Sequence, residues 1–177
     1  GVVYSAIAPN TIGAKRAVAA SADVIQVFLS ASESHNQSNV NMSIAQSLVQ
    51  AARVAAIAHG AECGFEAVLS VVFGCPFEGD VPIERVLELC ERLLALGAEQ
   101  ITLGDTTGMA HPRLVQTICQ AFQARFPQAR SAHPVEILAD NRRGRPHRKR
   151  LERRQQLDPR PVADIGQNRQ IPPQPRG

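Results

Sequence analysis

Four apolar runs of the sequence each end beside side chains that could carry chemistry. In chain order these side chains are Asn10, then Ser30, Ser32 and Glu33, then Cys75, and finally Asp105. Carboxylates can act as general bases, hydroxyls and amides can hydrogen-bond a substrate, and a thiol can act as a nucleophile. Each of these residues is therefore a candidate site residue, to be weighed against a purely structural role.

Asp105, in the segment TLGDTTG, is the sharpest single candidate. A carboxylate at the end of an apolar strand is costly to desolvate unless a ligand, a metal or hydrogen-bond donors compensate it. The structural alternative is a turn in which the carboxylate accepts hydrogen bonds from the amides of Thr106 and Thr107. The position of Asp105 favours a functional role.

The segment ASESHNQSNVNM, residues 31–42, is predicted to be a polar loop. Long loops at strand ends often bind ligands. Glu33 could act as a general base or accept a hydrogen bond from a substrate, and His35 could join it. The alternative is a cover that faces solvent, and the residues taken alone favour that alternative.

Cys75, within Gly74-Cys75-Pro76, could serve as a nucleophile or an acid if its thiol pKa were lowered. No basic residue lies near it in the sequence, so we predict that Cys75 packs at a tight turn. The four cysteines form no C-x-x-C pair and lie in or beside apolar segments, which favours free thiols over disulfides or a zinc site. Free thiols are typical of a reducing compartment, so we expect a cytoplasmic location.

Strands and helices alternate in the first 130 residues. Short apolar runs predict strands over residues 2–7, 24–30, 65–73 and 100–105. Helical spacing and start or stop signals predict four helices: residues 11–20, a helix from the capping box of Ser43 and Gln46 to Gly60, one from Asp80 and Pro82 to Gly97, and one after Pro112. Four βα units imply an α/β fold with a parallel sheet.

Two architectures fit this alternation: part of a (β/α)₈ barrel, or TIM barrel, and an open doubly wound sheet. No G-x-G-x-x-G or Walker A loop follows a strand, which is evidence against an open doubly wound sheet that binds a nucleotide. In both architectures the chemistry lies past the carboxyl ends of the strands. The candidate residues occupy those positions.

The last part of the chain differs in composition. Residues 1–140 contain 8 Lys or Arg against 13 Asp or Glu, whereas residues 141–177 contain 11 against 3. We interpret residues 1–130 as one partial-barrel domain and residues 131–177 as a disordered basic tail. The tail could bind nucleic acid nonspecifically, but it has no aromatic residue, so no specific nucleic-acid partner is expected. The sequence contains no run of eighteen apolar residues, so no membrane-spanning helix is predicted.

Three motifs resemble the 3-hydroxy-3-methylglutaryl-CoA lyase family of metal-dependent barrel enzymes. They are SASESHNQSNVNMSIAQSL, VVFGCPFEGDV and LGDTTGMAHP, and the resemblance runs from about residue 2 to Pro127. It implies that the four strands are the second to the fifth of a TIM barrel. It also implies cleavage of 3-hydroxy-3-methylglutaryl-CoA, or a similar 3-hydroxyacyl-CoA, to acetyl-CoA and a keto acid. Asp105 matches the family's aspartate at the reacting centre, and Asn10, Ser30, Ser32 and Glu33 match positions that line the substrate and CoA site.

The resemblance implies a divalent cation, Mg²⁺ or Mn²⁺, and an acyl-CoA thioester as substrate. The family's first strand, with an Arg-Asp pair, has no counterpart here, and its His-x-His-Asp segment is replaced by a single His133 followed by Pro134. No metal ligand is therefore assigned, and we expect this chain to be an inactive fragment with a tail read in another frame. The alternatives are a related synthase, of the isopropylmalate or homocitrate type, and a non-catalytic half-barrel that associates with another chain. A homo-oligomer is one such association.

Overall fold

The core of the protein is a parallel β-sheet with helices between its strands. The structure, a computed structural model, describes residues 1–127 and the backbone of residues 135–139. The element order is β1 (Ser5–Ile7), α1 (Thr11–Ala19), β2 (Val24–Ser30), α2 (Glu33–Val40), α3 (Ile44–Gly60), β3 (Gly64–Ser70), α4 (Ile83–Ala95), β4 (Gln100–Asp105), α5 (Pro112–Arg125) and β5 (Val135–Ala139). The predicted α/β class and partial TIM barrel are confirmed.

The five strands lie side by side in chain order and all pair in parallel. The register places Ser30 opposite Ser70, and Asp105 opposite Ala139. Because all neighbouring strands run in parallel, their carboxyl ends come together at one edge of the sheet. We call this edge, from the end of β1 to the end of β4 with the loops that follow, the rim.

One face of the sheet carries the hydrophobic core. Alternate residues of the strands, such as Ile25, Phe65 and Ile101, are almost fully buried. They pack with the apolar faces of the helices, for example with Val54 of α3 and Leu93 of α4. The other side chains of β2 and β3 are mostly half-buried, so the two sheet faces differ in cover.

Most predicted boundaries agree with the structure to within a few residues. The predicted strands at 24–30 and 100–105 are observed with those bounds. Both hydrogen bonds of the capping box at Ser43 and Gln46 are present at the start of α3. His111 caps α5, and its ring accepts a hydrogen bond from the Leu114 amide.

The prediction of a loop over residues 31–42 is wrong, because Glu33–Val40 forms α2. The Ser32 hydroxyl caps this helix by accepting the His35 amide at 3.2 Å, and Asn41 ends it in a left-handed conformation. The segment has no apolar stripe that would predict a helix. One buried polar residue, Asn36, anchors it instead.

Two strand predictions also need correction. The strand predicted over residues 65–73 ends at Ser70, because Val71 adopts a left-handed backbone with φ of 53°. The predicted tail begins at residue 131, but Val135–Ala139 forms β5, which pairs with β4 and supplies backbone partners for it. The remaining residues of the predicted tail, including His133 and the proposed change of frame, lie outside the described residues.

Candidate functional site

The rim is held together by backbone hydrogen bonds between neighbouring strand ends. The Ala31 amide donates to the Ser70 carbonyl at 2.9 Å, and the Val72 amide donates to the Gly104 carbonyl at 3.3 Å. The ends of β2, β3 and β4 are therefore fixed side by side. Candidate residues that are distant in sequence come together here.

Ser30 is fully buried at the end of β2 and is held from two sides. Its amide donates to Asn36 Oδ1 at 2.9 Å, and its hydroxyl lies 2.8 Å from His35 Nδ1. Asn36 is also fully buried, and its side-chain amide donates to the Met42 carbonyl and the Ser47 hydroxyl, both at 2.8 Å. A satisfied polar network of this kind fixes the orientation of Ser30 and His35.

Asn36 is a residue of the site that was not predicted from the sequence. A usable signal was present, since residues 33–40 contain neither Gly nor Pro and follow Ser32, a good helix N-cap. Because residues 33–40 form a helix, the side chains of His35 and Asn36 lie next to Ser30 at the end of β2. The contact of His35 with Ser30 depends on that geometry.

Ser32 and Cys75 join two of the rim loops. The Ser32 hydroxyl lies 2.9 Å from the Cys75 sulfur, and both side chains are 1% exposed. Cys75 and Gly79 exchange two backbone hydrogen bonds of 2.8 Å, which close a tight turn. The prediction that Cys75 packs at a tight turn is confirmed.

Glu33 contacts the start of a neighbouring helix. Both carboxylate oxygens accept the Ile44 amide at 3.2 Å. Glu33, an exposed residue of α2, therefore caps the first turn of α3. A carboxylate at a helix N-terminus is favourably placed against the helix dipole. This contact gives Glu33 a structural role, and a substrate-binding role stays a prediction.

Asp105 is 5% exposed at the end of β4. Its Oδ1 accepts the Met109 amide at 2.9 Å and the Ala110 amide at 3.2 Å. Asp105 therefore does close a turn by accepting backbone amides, as in the structural alternative. The donors are Met109 and Ala110, and not Thr106 and Thr107. Oδ2 accepts no hydrogen bond from the described residues, and a catalytic role of Asp105 stays a prediction.

The loops after β3 and β4 pack closely against each other. Thr106 Oγ1 accepts the Val71 amide at 3.2 Å, and Thr107 Oγ1 donates to the Gly74 carbonyl at 3.1 Å. Gly74 has φ of 146°, and a Cβ atom there would lie 2.7 Å from the Met109 side chain. Glycine is required at this position by both its conformation and the close approach.

Asn10 lies at the rim but takes no part in the network of Ser30. Its Oδ1 accepts the Gly13 amide at 2.9 Å and caps α1. No hydrogen bond among the described residues joins it to another candidate residue. Its substrate-binding role, like those of Ser30 and Ser32, stays a prediction.

Glu78 carries the one lowered carboxyl pKa of the rim within the described residues. The Ser34 amide donates to its Oε1 at 2.6 Å, and this hydrogen bond lowers the pKa of Glu78, with a smaller contribution from the Arg85 charge. The side chain is exposed. An ionised carboxylate therefore stands on the loop after β3.

The described residues do not fit a complete metal site. Among the described side chains, those of residues 1–127, no group of three His, Cys, Asp or Glu could hold an ion. Among the described residues, no acidic or imidazole side chain hydrogen-bonds to Asp105, whose Oδ1 accepts two loop amides. We therefore assign no metal ligand.

The family comparison decides the relationship of this chain. The model of the HMGL-like family matches residues 2–141. The chain belongs to this family. It is 45% identical over 127 residues to the hydroxymethylglutaryl-CoA lyase YngG of Bacillus subtilis, a match that covers 72% of this chain and 42% of the relative.

Solved structures show the same relationship. The chain is similar to the crystal structure of the Bacillus subtilis HMG-CoA lyase, with a TM-score of 0.76, 41% identity and coverage of 81% of this chain and 47% of that one. It is also similar to an HMG-CoA lyase of Acinetobacter baumannii in complex with coenzyme A and 3-methylmalate, with a TM-score of 0.68, 36% identity and coverage of 76% and 43%. The chain thus spans less than half the length of these relatives.

The motifs implied this family, and the family model and the relatives confirm it. No helix among the described residues is long and apolar enough to cross a membrane.

Proposed function

We propose that this HMGL-like chain takes part in the cleavage of 3-hydroxy-3-methylglutaryl-CoA, or a similar 3-hydroxyacyl-CoA, to acetyl-CoA and a keto acid. The observation that carries the proposal is the 45% identity to a hydroxymethylglutaryl-CoA lyase over 127 residues. No observation favours the synthase over the lyase. The non-catalytic role in association with another chain is an outcome of the tests below.

In this reaction the substrate's hydroxyl loses its proton to a base and its C–O bond becomes a carbonyl. The adjacent carbon–carbon bond breaks, and its electron pair forms the thioester enolate, which is then protonated at carbon. Asp105 Oδ2 would accept the hydrogen bond of the substrate hydroxyl, while Oδ1 stays bound to the loop amides. Because two amides hold the carboxylate, it needs no reorganisation when the substrate binds.

Ser30 and Ser32 would line the same pocket from the side of β2, as the resemblance implies. Their positions are fixed by the Asn36 network and by Cys75. We assign no step to Mg²⁺ or Mn²⁺, because the described residues do not fit a complete site. A cytoplasmic location belongs to the same proposal and is supported by four free cysteines.

The first test is lyase turnover of 3-hydroxy-3-methylglutaryl-CoA by the 177-residue chain, with and without Mg²⁺ or Mn²⁺. We expect no turnover, because a complete set of ligands is not found in the described residues. Turnover by the chain alone would confirm the reaction and contradict the prediction of an inactive fragment.

The second test is a chimaera of the Bacillus subtilis lyase in which this chain supplies the matched 127-residue segment. We expect the chimaera to cleave 3-hydroxy-3-methylglutaryl-CoA, and Asp105→Asn to lower its kcat about 100-fold or more, because the substituted side chain loses the charge that favours proton transfer. Asp80→Asn, at an exposed position of the neighbouring loop, is the matched control. A folded chimaera without turnover would contradict the proposed function.

A further inference from the structure

The loop after β4 carries the one exposed sulfur-containing side chain of this protein. The sequence has four cysteines and two methionines, and all of them lie within the described residues. Met109 is 36% exposed, whereas Met42 and the cysteines are buried or half-buried. A thioether needs no ionisation to react with an oxidant, so exposure decides which methionine is oxidised first.

The thiols are less open to the same oxidant. The thiolate is the reactive form of cysteine, and burial raises the pKa of the Cys119 thiol and that of Cys90 to about 12, so both are protonated at neutral pH. Cys75 is 1% exposed, and the half-buried Cys63 thiol donates to a backbone carbonyl at 3.3 Å. Met109 is therefore the sulfur that an oxidant in solution reaches first.

The Met109 side chain packs on the backbone of Gly74, in the loop after β3. A Cβ atom at Gly74 would lie 2.7 Å from Cε and 2.8 Å from Sδ of Met109, so no further heavy atom fits between the thioether and the glycine. The Thr107 hydroxyl donates to the Gly74 carbonyl at 3.1 Å. The loop after β4 therefore holds Gly74 by one apolar and one polar contact.

The backbone of Met109 also holds the Asp105 carboxylate. The Met109 amide donates to Oδ1 at 2.9 Å, and the Ala110 amide donates to the same oxygen at 3.2 Å. Hydrogen bonds to a carboxylate are stronger than those to a neutral acceptor. The packing of Met109 on Gly74 and the orientation of Asp105 are thus coupled through one residue.

Oxidation of the thioether would remove the apolar contact with Gly74. A lone pair of Met109 Sδ attacks one oxygen of hydrogen peroxide, the S–O bond forms and the O–O bond breaks. The transferred oxygen gives its proton to the leaving hydroxide, which departs as water, so sulfur is oxidised and the peroxide is reduced. The resulting sulfoxide is polar, and burying its oxygen without a hydrogen bond is costly.

We propose that Met109 is a site of reversible oxidation by hydroperoxides, and that its sulfoxide loosens the loop that orients Asp105. The sulfoxide side chain leaves Gly74 for solvent, and the Met109 and Ala110 amides then lose their fixed positions against Oδ1. A methionine sulfoxide reductase restores the thioether and, with it, the loop. This property belongs to the folded chain and holds whether or not the rim carries lyase activity.

The first test is oxidation of the full 177-residue chain with hydrogen peroxide, followed by peptide mass spectrometry. Dithiothreitol is added before the measurement, because it returns sulfenic acids and disulfides to thiols and leaves sulfoxides intact. We expect Met109 to gain one oxygen atom before Met42 does. Oxidation of Met42 first, or of both methionines at equal rates, overturns the proposal.

The second test is amide hydrogen exchange, measured by NMR on the same samples. We expect the Met109 and Ala110 amides to exchange at least about tenfold faster after oxidation, a factor that matches the loss of a hydrogen bond to a charged group. The Gly13 amide, which donates to Asn10 Oδ1, is the internal control and keeps its rate. Treatment with the reductase restores slow exchange. Unchanged exchange in a chain oxidised at Met109, or exchange that stays fast after reduction, contradicts a reversible loosening of the loop.

Three variants assign the effect to one side chain. Met109→Leu keeps an apolar side chain of similar volume, so its exchange should be slow and should not respond to peroxide. Met109→Gln places a polar side chain at this position, and we expect fast exchange of the Ala110 amide without oxidant. Met42→Leu is the matched control and should respond to peroxide as the wild type does.

The variants also define what would exclude Met109 as the site. A response of Met109→Leu to peroxide would place the effect at another residue, and slow exchange in Met109→Gln would show that a polar side chain does not loosen the loop. Circular dichroism checks that each variant is folded. None of these measurements needs turnover, so their failure leaves the lyase function to be decided by the chimaera.

Discussion

At Val71 a β-branched residue adopts a left-handed backbone, with φ of 53°. Such a conformation costs on the order of 1–3 kcal/mol for a non-glycine residue. It persists because the side chain is fully buried and the amide donates to Thr106 Oγ1. The strained residue lies between the end of β3 and the turn of Cys75. It therefore helps to direct the chain so that Cys75 contacts Ser32.

The pair Val71→Gly and Val72→Gly measures this strain. Both side chains are at most 1% exposed, so each substitution loses a similar burial and leaves a similar cavity. Only glycine at 71 also relieves the left-handed backbone, and we expect Val71→Gly to lower the free energy of unfolding by about 1–2 kcal/mol less than Val72→Gly. Urea denaturation followed by circular dichroism measures the difference. An equal or larger loss at 71 would mean that the backbone there is not strained.

The lowered pKa of Glu78 predicts a pH-dependent contribution to stability. A carboxyl group whose pKa is lower in the folded state stabilises the fold above its unfolded value of 4.5, and this contribution is lost as the pH falls through the folded pKa. The difference in free energy of unfolding between wild type and Glu78→Gln should therefore be larger at pH 7 than at pH 3. Glu88→Gln, at an exposed position of α4, is the control for the substitution itself. An equal difference at both pH values for Glu78→Gln would contradict the prediction.

At the scale of the elements, the sequence predicts what depends on local signals and fails where a tertiary contact decides. The helix α3 was predicted from Ser43 and Gln46, whose reciprocal hydrogen bonds need only the helix itself. The helix α2 was missed because it is held by Asn36, which bonds to β2 and to α3. Of the site, the strand-end positions were predicted, but the contacts between loops were not.

The capping box of α3 gives a prediction for this element. Ser43→Ala removes the hydroxyl that accepts the Gln46 amide at 3.1 Å, and we expect a loss of about 1 kcal/mol in the free energy of unfolding. Ser38→Ala, at an exposed position of α2, is the matched control and should change little. If chemical denaturation gives the same stability for both variants, the contact of Glu33 with the Ile44 amide compensates for the lost cap.

At the scale of the whole molecule, the two faces of the sheet are covered unequally. The helix-packed face is a continuous apolar core, and this arrangement follows from the strand–helix alternation of the sequence. The other face carries a polar contact between strands, in which the Gln26 amide donates to Glu66 Oε2 at 3.1 Å. The sequence could not assign the residues of this face, because both faces of a parallel strand are often apolar.

The exposed edge strand β1 predicts self-association of the chain. In the described sheet β1 lies at one end of the strand order, and Ile7 is 66% exposed on it. An edge strand with exposed apolar side chains is a template for pairing with another chain, and a charge blocks such pairing. We expect concentration-dependent association of the wild-type chain in sedimentation velocity, and a smaller fraction of associated species for Ile7→Lys. Val49→Lys introduces the same charge at an exposed position of α3 and should leave association unchanged. A monodisperse wild-type monomer, or an equal effect of the two lysines, would contradict association through this edge.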